Sequence, residues 1–179
     1  MKSTINKIMI LDKSSKILRQ KTEDVKNFNS SDFHSLIKKM SDAMFNEPDG
    51  IGIAAPQIGI SKKVFLVAED VLFLERFSEN KEGKSKRTKN YFVFANPSIK
   101  KFSSKKTKDI EGCLSVRGVY GEVLRPEKIT VEYFDESGNK KNRGASNLFA
   151  RVIQHEFDHL NGILFIDKAK NIQRIKHEP

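Results

Sequence analysis

The sequence has a single cysteine, Cys113, which excludes a disulfide within the chain and indicates a reducing compartment. Long apolar runs are also absent: the longest, Val64–Ala68 and residues 91–95, have the length of strands, so no membrane-spanning helix is expected. Near the start, the four apolar residues 8–11 are followed at once by Asp12, and they are too few for the apolar region of a secretory signal. These absences predict a cytoplasmic protein.

Length and charge narrow the class of protein further. A chain of 179 residues corresponds to one domain, 1–179, and 37% hydrophobic residues supply a core, so disorder of the whole chain is excluded. The net charge is +10, of which +4 lies in residues 81–89 and +5 in residues 100–108. These stretches form either a surface for RNA, such as a transient contact with the ribosome, or a solvated loop and a charged edge strand. The second interpretation is favoured because aromatic residues are not interleaved, and no sequence-specific nucleic-acid binding is expected.

Hydrophobic periodicity predicts an α+β fold. A first helix begins at Ser30 or Ser31 and ends before the breaker residues 47–50, and a second helix spans 147–161. The order of helix, strands and helix argues against alternating βαβ units. The remaining segments are predicted as strands at 63–68, 91–95, 119–124, Lys128–Phe134 and 163–166, a charged loop at about 69–90 and a short basic tail at 168–179.

The second predicted helix carries the sequence His-Glu-Phe-Asp-His at residues 155–159. The spacing places His155 and His159 one turn apart on the same face, so both imidazoles can reach one metal ion. Glu156 lies about 100° round the helix from the first histidine, close enough to act on a water molecule. A surface helix can carry this pattern by chance. The apolar opposite stripe favours a metal site, because buried ionisable groups need a partner.

Two histidines leave a metal site one protein ligand short. A third histidine six residues further on would fall at Phe165, and the other histidines of the chain are His34 and His177. The remaining soft donor is Cys113, which lies in the sequence Glu-Gly-Cys-Leu-Ser at residues 111–115. A lone cysteine is usually a small buried hydrophobic residue. Beside a helix with two histidines, we interpret it as the third ligand.

Residues 50–59 form a third motif, Gly-Ile-Gly-Ile-Ala-Ala-Pro-Gln-Ile-Gly. Two glycines that alternate with isoleucines suit a backbone that another chain approaches closely. The stretch is not a dinucleotide-binding fingerprint, because the third glycine is missing and Pro56 would disrupt the helix that should begin there. An ordinary turn is the alternative.

Taken together, the three motifs resemble those of the peptide deformylase family, in the same order. That family is marked by Gly-apolar-Gly-apolar-Ala-Ala-x-Gln, Glu-Gly-Cys-Leu-Ser and Gln-His-Glu-x-Asp-His, which here stand at residues 50–57, 111–115 and 154–159. The similarity covers most of the chain and includes residues 8–19 as the usual amino-terminal strand and loop. It implies a compact domain in which antiparallel β-sheets surround the helix with the two histidines. It also implies a hydrolase of protein biosynthesis that removes the N-formyl group from the formyl-methionine of nascent polypeptides and releases formate.

The resemblance also implies a metal site and a catalytic base. One divalent ion, commonly Fe²⁺ with Zn²⁺, Ni²⁺ or Co²⁺ able to replace it, would be held by Cys113, His155 and His159. Glu156 would take a proton from the attacking water and later deliver one to the leaving amine. Glu111 and Asp158 are expected to orient the ligands and anchor the helix rather than to bind metal.

Four residues are implied to act on the substrate. The side-chain amide of Gln57 and the backbone N–H of Leu114 would stabilise negative charge on the formyl oxygen. Gly52 would pair with the substrate backbone as an added strand. Ile51 and Leu114 would help to line an apolar pocket for the methionine side chain.

Two departures from the family pattern and two rival functions accompany this hypothesis. Arg117 stands where the family usually has proline, and Tyr120 lies near a position that often carries an arginine facing the substrate.

A metallopeptidase would share the two-histidine helix but would not require a cysteine ligand. A metal-stabilised RNA-binding module would rest on the basic stretches alone and would still bind RNA after Glu156→Ala.

Overall fold

The computed structural model describes residues 8–73 and 88–175. Helix α1 spans Ser31–Phe45 and helix α2 spans Asn147–Leu160. The strands are β1 (Gly52–Ala54), β2 (Val64–Ala68), β3 (Tyr91–Phe102), β4 (Lys106–Cys113), β5 (Val116–Pro126), β6 (Lys128–Phe134), β7 (Lys140–Ser146) and β8 (Lys170–Arg174). Short 3-10 helices form at Lys16–Arg19, Ala55–Ile58 and Phe165–Asp167.

The strands form two antiparallel sheets around helix α2. One sheet has five strands in the order β1-β2-β3-β6-β7, and the other has three in the order β4-β5-β8. Helix α2 contacts β1, β2, β6 and β7 of the first sheet and β5 of the second. Strands β1 and β4 are therefore edge strands of different sheets. The predicted α+β domain with antiparallel sheets and a central helix is confirmed.

Both predicted helices are confirmed, and local chemistry explains their ends. The Ser30 hydroxyl accepts a hydrogen bond from the Phe33 N–H (3.2 Å) and so caps helix α1. Helix α1 ends at Phe45, ahead of Pro48, which cannot continue a helix. Helix α2 ends before Gly162, whose φ of 74° favours glycine and stops the helix.

A hydrophobic core lies between the helices and the five-stranded sheet. Phenylalanines at its centre stack across neighbouring strands, with the ring centroids of Phe65 and Phe94 4.8 Å apart. Tyr133 of β6 continues this row, with its ring centroid 4.3 Å from that of Phe94. Burial of such rings is a large part of the free energy of folding.

Within the described residues, none of the helices has the length and apolar character that crossing a membrane requires.

Several sequence predictions differ from the structure. The predicted strand at 163–166 is wrong, because the Asp167 carboxylate accepts a hydrogen bond from the Leu164 N–H (2.9 Å) and bends the chain into a 3-10 helix. Residues 8–12 form no strand, and the 3-10 helix Lys16–Arg19 follows them. Strands β1, β4, β7 and β8 were not predicted, and β8 lies inside the segment expected to be a basic tail. Residues 74–87 of the predicted charged loop and 176–179 of the tail lie outside the described residues.

Candidate metal and catalytic site

The three sequence motifs meet at one cleft between the two sheets. One side of the cleft is lined by Ile51, by Gly52 at the start of β1 and by Gln57 from the following 3-10 helix. The other residues of the motifs that line it come from the β4–β5 hairpin and from α2: Cys113, Leu114, His155 and Glu156. The apolar side chains of Ile110, Leu148 and Val152 line it as well. The residues predicted for the site are thus brought together, and His159 is buried beside them with 1% of its surface exposed.

Three donor side chains converge within this cleft. One ligand atom each of Cys113, His155 and His159 lies within 4.8 Å of the other two. The Cys113 Sγ lies 3.3 Å from the His159 Nε2. A thiolate with two imidazoles suits a borderline divalent transition-metal ion, and the distances leave room for one at the centre. The residues present therefore fit a divalent metal.

The carboxylate of Glu111 orients His155. Its Oε2 lies 3.0 Å from the His155 Nδ1, so the ring is held with its Nε2 turned away from Glu111 and available as a ligand atom. The same carboxylate binds both the Nε (2.6 Å) and the Nη2 (2.9 Å) of Arg125, and the Nη1 of Arg151 (2.7 Å). Burial alone would raise the pKa of Glu111, but the hydrogen bonds from Arg125 and His155 hold it well below its usual range.

Sequence reasoning missed both arginines that hold Glu111. Arg125 lies on β5 and Arg151 on α2, and neither belongs to one of the three motifs. Arg125 also donates to Asp158 (2.8 Å), which accepts a further hydrogen bond from Lys168 (2.6 Å). The Arg125 contact fixes α2 to the three-stranded sheet, and the Lys168 contact fixes it to the segment that precedes β8.

Burial and neighbouring charges shift the pKa values of the ionisable groups on α2 in different directions. Burial raises the pKa of Glu156 to about 7, and its Oε2 has no hydrogen-bond partner among the residues that the structure describes. Burial and the neighbouring His155 lower the pKa of His159 well below its usual value, which keeps this imidazole neutral, as a metal ligand must be. Burial opposes a charge on His155, but its hydrogen bonds with Cys113 and Glu111 raise its pKa.

The side chain of Gln57 is held in one orientation. Its Oε1 accepts a hydrogen bond from the Ala54 N–H (2.8 Å) inside the buried turn. Its Nε2 donates to the Ser115 Oγ (3.2 Å) and lies 3.6 Å from the Cys113 Sγ. Because the oxygen is tied to the backbone, the amide nitrogen faces the cleft. Leu114 lies in the two-residue turn between β4 and β5, next to Cys113.

Gly52 is required by close packing against α2. A Cβ at this position would lie 2.5 Å from the Glu156 Oε1 and 2.9 Å from the Val152 Cγ1. The absence of a side chain thus allows the carboxylate of Glu156 to lie against β1, at the edge where the cleft opens.

We expect Gly52→Ala to lower the free energy of unfolding by about 1–3 kcal/mol, because the added methyl group overpacks the contact with α2. It should also displace Glu156 and reduce kcat. Urea unfolding and steady-state kinetics measure the two effects. Gly144→Ala on β7 is the matched control, since a Cβ there would meet nothing within 4 Å among the described residues. Equal behaviour of the two variants would contradict the packing argument.

Comparison with known proteins identifies the family. Residues 6–175 match the family model described as polypeptide deformylase. The chain belongs to the peptide deformylase family. A peptide deformylase of Picosynechococcus is 39% identical over 156 residues, which cover 87% of this chain and 75% of that protein. The peptide deformylase of Rhizobium meliloti is 39% identical over 171 residues, which cover 96% of this chain and 88% of that protein.

Solved peptide deformylase structures share the fold. The enzyme of Plasmodium falciparum is similar with a TM-score of 0.76 and 38% identity, over 90% of this chain and 86% of that chain. The enzyme of Thermotoga maritima is similar with a TM-score of 0.77 and 31% identity, over 91% of this chain and 97% of that chain. Peptide deformylases remove the N-formyl group from nascent chains, and the family implies a divalent metal. The predicted hydrolase activity is therefore confirmed, in preference to a metallopeptidase or an RNA-binding module.

Proposed function

We propose that this deformylase acts on formyl-methionyl peptides in the cleft between β1 and β4, with a divalent ion held by Cys113, His155 and His159. The observation that carries the proposal is the convergence of these three donors with Glu156 and Gln57 at one cleft. When bound, the ion supplies a Lewis acid that lowers the pKa of water and polarises a carbonyl group.

Glu156 acts as the general base and then as the general acid. Its buried Oε2, without a partner among the described residues, accepts a proton from the attacking water. The oxygen of this water bonds to the formyl carbon. The same proton then passes from Glu156 to the amine nitrogen as the C–N bond breaks. The products are formate and a peptide with a free amino-terminal methionine.

Gln57 and Leu114 stabilise the negative charge that develops on the formyl oxygen. The Gln57 Nε2 faces the cleft because its Oε1 is anchored on Ala54. The Leu114 backbone N–H lies in the turn that follows Cys113, and it supplies a second donor. Preorganised donors of this kind lower the barrier because they need no reorganisation when the charge appears.

The substrate binds as an added strand. β1 is an edge strand, so Gly52 presents backbone groups that an extended peptide can pair with. Ile51 and Leu114 line the cleft beside Leu148 and Val152, which gives an apolar surface for the methionine side chain.

Ferrous iron is the physiological metal in this proposal. The thiolate and the two imidazoles also suit Zn²⁺, Ni²⁺ or Co²⁺, so the choice of iron rests on the resemblance to the family.

The protein acts in the cytoplasm, where nascent chains emerge. A transient contact with the ribosome through residues 100–108 would compete with the ion pairs that Lys100, Lys105 and Lys108 form with acids of the same molecule (3.3, 2.6 and 3.1 Å). Most of the second basic stretch, 81–89, lies outside the described residues.

The test of the proposed function is an anaerobic assay of the iron-loaded protein on formyl-Met-Ala-Ser, with metal analysis of the same sample. Formate should be released from the formylated peptide, and acetyl-Met-Ala-Ser should remain intact. Cleavage of internal peptide bonds, or equal turnover of the acetylated peptide, would contradict a deformylase.

The metal assignment predicts that Cys113→Ser loses iron or zinc during dialysis, because a serine hydroxyl does not ionise readily and is a poor ligand for these ions. Cys113→Asp should retain part of the metal, since a carboxylate can bind it. Atomic absorption after dialysis measures both variants. A serine variant with the metal content and turnover of the parent would mean that the third ligand is another residue.

A further inference from the structure

The mouth of the active-site cleft is bounded by two walls, each next to a different sheet. One is the turn between α1 and β1, which contains Glu47 and Asp49. The other is the start of β5, which contains Arg117 and Gly118. Asp49, Arg117 and Gly118 all line the cleft. The strand orders place β1 and β4 in separate sheets, so no shared ladder of hydrogen bonds sets the spacing between the two walls.

An ion pair joins these two segments. The Arg117 Nη1 donates to the Glu47 Oε2 at 2.9 Å. The carboxylate is fixed inside its own wall, with 7% of Glu47 exposed, whereas 59% of the Arg117 side chain is exposed. The hydrogen bond with Glu47 raises the pKa of Arg117, and Asp49 adds to the attraction. The guanidinium group therefore reaches from one wall of the cleft to a fixed anchor in the other.

A second tie lies deeper in the same cleft. Gln57, in the 3-10 helix that follows β1, donates to the Ser115 Oγ in the β4–β5 turn (3.2 Å). The two walls are thus linked by polar contacts both at the catalytic centre and at the mouth. The outer link depends on a charged side chain at position 117. The proline that the family usually has there could not form it.

We propose that the Glu47–Arg117 ion pair is a strap across the mouth of the cleft, which holds β1 and the β4–β5 hairpin at the spacing that an extended formylated peptide requires. Arg117 is then a positioning residue that acts through Glu47. This inference rests on the proposed function, because it concerns substrate binding in the same cleft. Loss of the strap should weaken peptide binding and leave the chemical step in place, since neither residue lies among the metal ligands or beside Glu156.

The experiment compares three variants with the iron-loaded parent: Arg117→Met, Glu47→Gln and the double variant. Methionine keeps the length of the side chain and glutamine keeps its size, so each removes one charge. We expect each single change to raise KM for formyl-Met-Ala-Ser by about threefold to fivefold, the upper range for an ion pair with one exposed partner, with kcat within about twofold. The double variant should be no worse than either single variant, because both break the same interaction. In Arg117→Lys, which keeps the positive charge, KM should rise much less than in Arg117→Met.

Hydrogen exchange supplies a readout that does not depend on turnover. The peptide segment that contains residues 47–54 should exchange faster in Arg117→Met than in the parent. Lys38→Met is the matched control, because it breaks an ion pair of the same length, Lys38–Asp42 (2.9 Å), on the exposed face of α1. Melting temperatures show whether each variant is folded.

Two results would overturn the strap. In the first, Arg117→Met raises KM and Glu47→Gln does not, which means that Arg117 contacts the peptide by itself. In the second, neither variant differs from the Lys38→Met control in KM or in exchange. If the parent fails to release formate, the proposed function fails, and the exchange measurement still decides whether the ion pair holds the two walls.

Discussion

Replacement of Glu156 by glutamine is expected to remove nearly all turnover while the fold and the metal remain. A glutamine amide cannot accept the proton of the attacking water, and loss of a positioned acid–base group typically costs about 10² to 10⁴ in rate. The amide has nearly the volume of the carboxylate, so it should fit against Gly52 and Val152. The measurement is kcat for formyl-Met-Ala-Ser, with metal content and melting temperature determined on the same preparation.

The control for this variant is Glu122→Gln on β5. Glu122 is also a carboxylate, but it lies at the surface, where it pairs with Lys108 (3.1 Å). Its replacement should leave kcat close to that of the parent. Near-normal turnover of a metal-loaded Glu156→Gln variant would remove Glu156 from the mechanism.

Gln57→Leu is expected to lower kcat by about 10² to 10³, or roughly 3 kcal/mol, and to raise KM much less. In the proposed mechanism the amide donor binds the developing oxyanion better than the carbonyl of the bound substrate, so its loss should appear mainly in the chemical step. Metal content should be unchanged, because Gln57 is not a ligand. Steady-state kinetics and metal analysis together measure these effects.

Loss of fold must be separated from loss of catalysis in this variant. Leucine leaves the Ala54 N–H without its acceptor, which costs about 1–3 kcal/mol of stability, so melting must accompany the kinetics. Ser115→Ala is the control, because it removes the second partner of the Gln57 amide and leaves the amide in place. An unchanged kcat in a folded, metal-loaded Gln57→Leu variant would show that the metal and the Leu114 N–H suffice.

The two-histidine face of the site was predictable from the sequence because it rests on local spacing. Positions i and i+4 of any helix share a face, so the approach of His155 and His159 follows from α2 alone. Cys113 was predicted because it is the one cysteine of the chain, and the structure places its sulfur 3.3 Å from the His159 Nε2. Both helices and the α+β class follow from apolar periodicity in the same way.

Strands with polar or irregular patterns were not predictable. β7 reads Lys-Lys-Asn-Arg-Gly-Ala-Ser and shows no apolar alternation, yet it pairs in register with β6 along its whole length. β8 forms in a basic segment because β5 offers it an open edge. For such strands, the neighbouring strand supplies the hydrogen bonds that determine the conformation, and the sequence of the segment itself gives little indication of a strand.

The sequence by itself predicted that His155 and His159 share one face of α2 and that residues 50–59 let another chain approach closely, because each of these depends on neighbouring residues. It offered Cys113 as the third donor because the chain has one cysteine. Tertiary structure alone decided that Arg125 and Arg151 bind the Glu111 carboxylate beside His155, and that Gly52 gives Glu156 room against β1. It also decided that Arg117 reaches Glu47 across the mouth of the cleft. These pairs are 14, 40, 104 and 70 residues apart in the chain, as the residue numbers show. The Arg125–Glu111 contact forms within the β4–β5 hairpin, whereas the other three exist only after the sheets and helix α2 have packed together, so no local pattern encodes them.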